Sequence, residues 1–217
     1  MMKKLLFPSM MCAEYGNIAQ EVNALDKAGV DGFHCDVMDG TFVPNITMGT
    51  MDIRAIRQNT KKIIDVHLMI ENPLSKIQWF IDLGVDLIYF HPEAERYSIK
   101  TLQTIKNARK LAGIAINPDT SVETIKELLW LCDYVMVMTV NPGFSGQSYI
   151  EFTTEKIKLL VELRKKFKYK IVVDGSCSPE RIKELSSIGV DGYILGTSAL
   201  FGKQKTYEEI INELRND

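Results

Sequence analysis

The sequence has little that would tie the chain to a membrane or to nucleic acid. No apolar run approaches the roughly 20 residues of a transmembrane helix, and the opening MMKKLLFPSMMC reaches a proline-containing strand pattern too early for a secretory signal peptide. The 26 basic and 28 acidic residues give a net charge of -2, and no basic block is long enough to follow a phosphate backbone. We therefore expect a cytoplasmic protein with neither kind of partner.

Cysteine is also scarce, and its spacing excludes two common uses. The four cysteines, Cys12, Cys35, Cys132 and Cys177, form no C-x-x-C pair and lie in apolar surroundings. This is typical of reduced, buried thiols rather than of a disulfide framework or a zinc knuckle. No linker or low-complexity segment interrupts the chain, so we expect one domain over residues 1–217.

Short apolar runs of strand length alternate with longer amphipathic runs from one end of the chain to the other. Several short runs are rich in Val and Ile, as strands buried on both faces are. The predicted strands are Leu5–Ser9, Gly32–Val37, Ile63–Met69, Leu87–His91, Gly113–Asn117, Tyr134–Thr139, Lys170–Asp174 and Gly192–Leu195. The predicted helices are Asn17–Lys27, Met51–Gln58, Pro73–Leu83, Ile99–Leu111, Val122–Leu131, Tyr149–Phe167, Pro179–Ile188 and Tyr207–Arg215.

Eight βα units close most naturally into a single α/β domain of the (β/α)8 type, the TIM barrel. An open doubly wound sheet is the alternative, but the chain lacks the G-x-G-x-x-G motif of a dinucleotide site. Gly-Val-Asp follows three predicted helices, at Gly29–Asp31, Gly84–Asp86 and Gly189–Asp191, and predicts a glycine C-cap at each. Asn72 and Ser178 precede prolines and predict N-caps.

In such a barrel the active-site groups lie at the C-terminal ends of the strands. Polar side chains cluster at the predicted strand ends, and all three histidines of the chain are among them. The strand-end polar residues are Ser9, His34, Asp36, Asp39, His67, His91, Glu93, Asn117, Thr139, Asp174, Ser176, Thr197 and Ser198. The pattern predicts a polar site at the mouth of the barrel.

His34, Asp36, His67 and Asp174 form a plausible set of two histidines and two carboxylates facing that mouth. Such a set suits a divalent ion such as Zn, Mn, Fe or Co, and hydrogen bonding among strand-end groups is the alternative. Two carboxylates on different strands can also flank one substrate carbon, one removing a proton and the other delivering one. His91, which precedes Pro92 and Glu93, is expected to support a ligand or to pack rather than to bind the ion.

Two further features at the strand ends suit a small anionic substrate. The loop Asn141–Gln147 has the glycines and the aromatic residue of a lid, with a plain surface turn as the alternative. The turns Gly175–Ser176 and Gly196–Ser198 could bind phosphate through backbone N–H groups or simply ease tight turns. Three methionines near strand ends could form an apolar floor or fill the core: Met38, Met69 and Met138.

These residues carry a family resemblance. Over essentially the whole chain, the sequence resembles the ribulose-phosphate 3-epimerase family in the segments HCDVMDGTFVPN, DVHLM, FHPEA, MTVNPGFSGQ and VDGSC. The resemblance implies a metal-dependent isomerase that epimerises C3 of a ketose phosphate through a cis-enediolate. It also implies a homo-oligomer, either a dimer or a hexamer.

The same resemblance assigns the site residues. One divalent ion (Zn, Mn, Fe or Co) would bind to His34, Asp36, His67 and Asp174, and Asp36 and Asp174 would be the acid/base pair. The implied contacts with the sugar phosphate are Ser9, His67, Met38, Met69, Met138, Gly143, Phe144, Ser145, Gly146, Gln147, Gly175, Ser176, Gly196, Thr197 and Ser198.

Two segments differ from the pentose-phosphate members of the family. Gly175-Ser176-Cys177 stands where those enzymes typically have a double glycine, and Pro8–Cys12 stands where they usually read P-S-I-L-S. Both segments, together with Gly196–Phe201, are similar to the D-allulose-6-phosphate 3-epimerase branch. We therefore expect conversion of D-allulose 6-phosphate to D-fructose 6-phosphate. Conversion of D-ribulose 5-phosphate to D-xylulose 5-phosphate is the alternative.

Two other functions are compatible with a barrel. A phosphosugar decarboxylase or aldolase would need a lysine among the strand-end acids, and the relevant strand ends have none. A non-catalytic sugar-phosphate-binding barrel would not need an intact set of two acids and two histidines.

Overall fold

Strands and helices alternate along residues 3–216, which are the residues that the computed structural model describes. The strands are β1 (Leu5–Pro8), β2 (Gly32–Asp39), β3 (Ile46–Thr47), β4 (Ile63–Met69), β5 (Leu87–Phe90), β6 (Leu111–Ile116), β7 (Tyr134–Met138), β8 (Lys170–Asp174) and β9 (Gly192–Leu195). The α-helices are α1 (Ile18–Lys27), α2 (Thr50–Asn59), α3 (Ile77–Asp82), α4 (Ser98–Asn107), α5 (Val122–Ile125), α6 (Thr153–Phe167), α7 (Pro179–Ile188) and α8 (Tyr207–Asn216). Residues 1, 2 and 217 of the predicted domain lie outside the described residues.

The strands form one curled sheet in the order β1-β9-β8-β7-β6-β5-β4-β2-β3. All neighbours pair in parallel except the short β3, which pairs antiparallel with β2. A parallel bridge between Ser9 and His34 joins the end of β1 to β2, and the Asp31 N–H donates to the Leu6 carbonyl at 3.0 Å. The sheet therefore closes on itself, and the predicted TIM-barrel fold class is confirmed.

Most predicted elements are confirmed, and the differences have local causes. The bounds of β4, β8, β9 and α7 agree with the prediction at both ends. The predicted helix Ile99–Leu111 is wrong in its last turn, because Arg109 has a left-handed φ of 59° and Leu111 already donates to the sheet through the Asp86 carbonyl. The two-residue strand β3 was not predicted.

Two predicted helices and one predicted cap also differ from the structure, and the predicted helix Tyr149–Phe167 begins only at Thr153. The predicted helices Pro73–Leu83 and Val122–Leu131 each divide into an α-helix and a 3-10 turn. The predicted cap at Asn72 is wrong, since that residue is left-handed and its side chain makes no capping bond. Ser178 does cap α7, by accepting a hydrogen bond from the Arg181 N–H. In residues 3–216 no helix combines the length and the hydrophobicity needed to cross a bilayer.

Two glycines make room for aromatic side chains inside the barrel. A Cβ atom on Gly113 would collide with the ring of Tyr89, and one on Gly32 would collide with the ring of Phe7 and lie 2.6 Å from the Ile63 carbonyl. Both rings are almost completely buried in the cluster that fills the barrel below its mouth. The floor of the barrel is therefore packed, and only its upper end is available for a site.

Carboxylates tie the strands together at the opposite, lower end. The three Gly-Val-Asp glycines have positive φ as predicted, and each following aspartate also accepts a backbone N–H from a neighbouring strand and pairs with an arginine. The carboxylate–N–H distances are 3.0 Å for Asp31 and Leu6, 2.9 Å for Asp86 and Ile64, and 2.8 Å for Asp191 and Ile171. Asp133 repeats the arrangement with the Ala112 N–H at 2.9 Å and Lys106 at 2.7 Å. Each Gly-Val-Asp segment thus ends a helix and also joins two neighbouring strands through its aspartate. We call this aspartate, with the N–H group and the basic side chain that it binds, a clamp.

The clamp at Asp31 predicts a pH-dependent stability. Burial alone would raise the pKa of Asp31, but hydrogen bonds from Lys3, Leu6 and Arg215 lower it below its usual range. The Asp31 carboxylate therefore contributes its full share to the free energy of unfolding above ~3.9, the pKa of aspartate in the unfolded chain. This contribution is lost as the pH falls through the lower pKa of Asp31 in the folded protein. Asp31→Asn should lower the free energy of unfolding by about 1–3 kcal/mol at pH 7, and the difference from wild type should shrink below pH ~4.

Urea denaturation between pH 3 and pH 7 measures this difference. Asp119→Asn is the matched control, because it removes the same charge from an exposed position. Equal stability of Asp31→Asn and the wild type at pH 7 would contradict the clamp.

Candidate metal centre and active site

The pairing of β2 with β4 brings the site together. His34 and Asp36 lie two residues apart on β2, and Asp65 and His67 lie two residues apart on β4, so each pair faces one side of the sheet. The parallel register sets His34 opposite Asp65 and Asp36 opposite His67. Acids and imidazoles therefore alternate in both directions on the inner face of the barrel.

Four side chains converge at the mouth. One ligand-capable atom from each of His34, Asp36, His67 and Asp174 lies within 4.8 Å of all the others. Asp36 Oδ1 is 3.1 Å from His34 Nε2 and 3.3 Å from His67 Nδ1, and His67 Nδ1 is 3.6 Å from Asp174 Oδ2. A tetrahedral ion with bonds of about 2.1 Å separates its ligand atoms by about 3.4 Å. The predicted quartet therefore fits a divalent ion in both donor chemistry and spacing.

Each histidine of the quartet is oriented by a buried group behind it. His34 Nδ1 is bonded to Asp65 Oδ1, which leaves Nε2 toward the quartet. His67 Nε2 is 2.7 Å from His91 Nε2, which leaves Nδ1 toward the quartet. His91 thus lies behind a ligand, as predicted. Asp65 was not predicted, although D-x-H on β4 mirrors H-x-D on β2 and was the available signal.

The two carboxylates of the quartet have unlike electrostatic surroundings. Burial alone would raise the pKa of Asp36, but His34 and His67 lower it well below its usual range, and Ser9 Oγ donates to Asp36 Oδ2 at 2.6 Å. Burial and then the charge of Asp36 raise the pKa of Asp174 to about 7. Without a bound ion, Asp36 is therefore ionised at neutral pH while Asp174 readily holds a proton.

The two histidines also differ. Burial lowers the pKa of His34, but Asp65 and Asp36 outweigh burial and raise it overall. Burial lowers the pKa of His67, and its contacts with Asp36 only partly offset that effect. His67 is therefore neutral, the form that binds a metal.

A cleft opens above the two carboxylates. It is lined by Asp36, Asp174 and all but one of the predicted substrate contacts. The exception is His67, which is 0% exposed because its Nε2 bonds to His91 and its Nδ1 faces the carboxylates. His67 therefore does not line the cleft, and its predicted contact with the substrate stays a prediction.

Several lining residues were not predicted. They are Met11, Cys12, Val140, Cys177 and Ile194, whereas Asn141 and Pro142 belong to the predicted lid loop. All four cysteines are free, as expected, but Cys12 is only partly buried. The expectation that all four are buried is therefore wrong for Cys12, because this residue lies on the open wall of the cleft in the turn after β1.

The loop Asn141–Gln147 forms one wall of the cleft and is tied by its own side chains. Gln147 Nε2 donates to the carbonyls of Asn141 and Phe144 at 2.6 and 2.8 Å, and Asn45 Nδ2 donates to the Gly143 carbonyl at 2.7 Å. The Phe144 side chain is 52% exposed beside the opening. The loop is thus connected to the segment after β2 while its aromatic tip stays free.

The turn after β8 is fixed in a left-handed conformation. Gly175 and Ser176 have φ values of 116° and 50°, and a Cβ on Gly175 would lie 2.7 Å from a Val140 methyl group. Thr139 Oγ1 donates to the carbonyls of Asp174 and Gly175 and so holds the turn. Only glycine fits at position 175, whereas Ser176 adopts a conformation that glycine would adopt more easily.

Comparison with known proteins identifies the family of the chain. A model of the ribulose-phosphate 3 epimerase family matches residues 5–201. The ribulose-phosphate 3-epimerase of Aquifex aeolicus is 41% identical over 201 residues, covering 92% of this chain and 90% of that protein. The ribulose-phosphate 3-epimerase of Escherichia coli is 34% identical over 223 residues, covering 100% and 97%.

Among solved structures, 3-keto-L-gulonate-6-phosphate decarboxylase from Vibrio cholerae superposes with a TM-score of 0.73 over 99% of this chain and 96% of that one, at 14% identity. At that identity the likeness concerns the fold alone.

The quartet predicts stabilisation by a divalent ion. Zn²⁺ or Mn²⁺ at a hundred times its dissociation constant should raise the free energy of unfolding by about 2.7 kcal/mol. Asp174→Asn should lose most of this gain, because it replaces an anionic ligand with a neutral amide. Glu71→Gln is the control, since its side chain is outside the quartet.

Denaturation with and without EDTA measures the effect. Equal metal stabilisation of Asp174→Asn and the wild type would exclude Asp174 from the ligand set.

Proposed function

The chain belongs to the ribulose-phosphate 3-epimerase family and is an isomerase, and from this premise we propose that it epimerises C3 of D-ribulose 5-phosphate to give D-xylulose 5-phosphate. The single observation that carries the proposal is the pair Asp36 and Asp174, whose carboxylate oxygens lie within 4.8 Å of each other where both side chains line the cleft. Removal and return of a proton on one carbon requires such a pair.

The two carboxylates reach the cleft from separate parts of the ring. Asp36 is on β2 and Asp174 ends β8, and β9 and β1 lie between these strands. A substrate carbon held between them meets one carboxylate on each face. In one direction Asp36 accepts the C3 proton and Asp174 donates a proton to the opposite face, and in the other direction the roles exchange.

The remaining groups hold and shield the substrate. A divalent ion on the quartet supplies a Lewis acid that lowers the energy of negative charge developing on the substrate oxygens. The side chains of Met38, Met69 and Met138 line the cleft with apolar surface that a planar enediolate can contact. The exposed Phe144 can cover the opening and exclude water, and the backbone N–H groups at Gly175–Ser176 and Gly196–Ser198 suit a phosphate.

The pentulose substrate is supported by the relatives, since those cited above are named ribulose-phosphate 3-epimerase. D-Allulose 6-phosphate, expected first from the sequence, is the second candidate. It is supported by Cys12, Ser176 and Cys177, which lie in the segments that resemble the allulose branch and all line the cleft. A longer sugar would reach these side chains through its extra carbon.

The two-base scheme predicts the behaviour of two variants. Asp36→Asn and Asp174→Asn should each lower kcat by at least ~100-fold, because an amide neither accepts nor delivers the C3 proton. The rate at which the C3 proton exchanges with D2O, measured by NMR, should fall together with kcat. Asp119→Asn is the control, since it makes the same substitution at an exposed aspartate outside the cleft. Full proton exchange in either Asn variant would contradict the scheme.

The substrate is tested by comparing two sugars on metal-loaded protein. We expect kcat/KM for D-ribulose 5-phosphate to exceed that for D-allulose 6-phosphate by about 10- to 200-fold, the range that one carbon commonly gives. The reverse ratio would establish the second candidate. In that case Ser176→Gly should shift the ratio of kcat/KM values toward D-ribulose 5-phosphate. This variant has the double glycine typical of the pentose-phosphate members, and it removes a non-glycine residue with positive φ.

A further inference from the structure

A row of buried groups extends from His67 away from the quartet. His67 and His91 stack with ring centroids 4.9 Å apart and an interplanar angle of 29°, and both are 0% exposed. Their Nε2 atoms are 2.7 Å apart. Two nitrogens at this distance share a single hydrogen, so the tautomer of one ring fixes the tautomer of the other.

If His67 binds an ion, the position of the hydrogen between the two rings is determined. Nδ1 of His67 faces the carboxylates of the quartet, and a ligand nitrogen carries no hydrogen. The hydrogen of His67 is then on Nε2, and His91 Nε2 accepts it. His91 must therefore carry its own hydrogen on Nδ1.

Glu93 is the group that faces this second hydrogen. Among residues 3–216, His91 Nδ1 has no partner at hydrogen-bond length, and Glu93 Oε2 lies 3.7 Å away. The other oxygen of Glu93 is fully engaged, because Oε1 accepts from the Asn117 N–H at 3.0 Å and from the Thr120 hydroxyl. The carboxylate is therefore held in place by one oxygen and presents the other to His91.

We propose that Glu93, acting through His91, fixes the tautomer of His67 and is a positioning residue for the metal centre. The inference rests on the proposed function only in requiring that the quartet bind an ion. Under this proposal a carboxylate orients each of the two histidines of the quartet. Asp65 contacts His34 directly, and Glu93 acts on His67 through His91. Such outer groups commonly change metal affinity by about 10- to 100-fold.

The zinc-loaded, unmodified protein gives the first test. With three histidines in the chain, ring-nitrogen NMR on ¹⁵N-histidine protein resolves each ring. We expect His91 to carry its hydrogen on Nδ1, and His67 to carry its hydrogen on Nε2 with Nδ1 bound to the ion. Hydrogen on Nε2 of His91 would overturn the proposal, whatever any variant does.

Glu93→Gln gives the second test, because it changes one oxygen and keeps the other. The amide oxygen can still accept from Asn117 and Thr120, whereas the amide NH2 now meets His91 Nδ1 and favours a lone pair there. The hydrogen of His91 then moves to Nε2, and that of His67 to Nδ1, where it blocks the ligand position. We expect Zn²⁺ and Mn²⁺ affinity, measured by chelator competition, to fall about 10- to 100-fold.

A purely structural role for Glu93 predicts a different result. If Glu93 only braces its loop, Glu93→Gln should bind metal as the wild type does, and this outcome would overturn the proposal. Glu95→Gln is the matched control, since Glu95 accepts backbone N–H groups of Leu74 and Tyr97 in the same loop and contacts no histidine. Glu95→Gln should lower stability and leave metal affinity unchanged. An equal loss of affinity in both variants would also overturn the proposal.

The tests of the positioning role of Glu93 and of the proposed reaction can fail independently. Failure to turn over either sugar, with normal metal affinity and the expected tautomers, would overturn the proposed reaction alone. Turnover of a sugar phosphate with unchanged metal affinity in Glu93→Gln would overturn the positioning role alone.

Discussion

The parallel register between β2 and β4 is the constraint on which the site depends. Seven residue pairs, from Gly32–Ile63 to Met38–Met69, hold this register. A shift of one residue would turn His34 and Asp36 toward the helices and separate Asp36 from His67. Gly32 contributes at the lower end, because any side chain there would collide with Phe7 and the Ile63 carbonyl. A glycine far from the chemistry thus helps to align the residues that perform it.

Stability and chemistry are placed at opposite ends of the same strands. At the lower end, Asp31, Asp86, Asp133 and Asp191 each accept an N–H from a neighbouring strand and pair with a basic side chain. At the upper end the carboxylates face each other and imidazoles, without a lysine or an arginine in the quartet. The clamps close the ring without using the strand ends, so the upper acids are free to be arranged for function.

Much of this could be predicted from the sequence, because strand spacing alone puts His34 beside Asp36, and barrel topology puts Asp174 near both. Asp65 was missed, since its role appears only when the register sets it opposite His34. The tail of α4 was overextended because Lys106–Leu111 keeps helical composition, and the sheet bonding of Leu111 overrides it. The partial exposure of Cys12 could not be predicted, because local hydrophobicity does not show that a residue lies beside a cleft. The oligomeric state stays a prediction.

The charge balance of the barrel mouth explains why a cation belongs there. Asp36, Asp65 and Asp174 bring three carboxylates into a buried space that they share with His34 and His67. Buried carboxylates are costly unless paired, and two imidazoles, of which His67 is neutral, cannot balance three acids. Without an ion, the excess is relieved by a proton on Asp174, whose pKa rises to about 7. A divalent ion would remove the same excess, so ion and proton compete for one position. The raised pKa of Asp174 therefore belongs to the metal-free site, and an ion bound to the quartet would lower it.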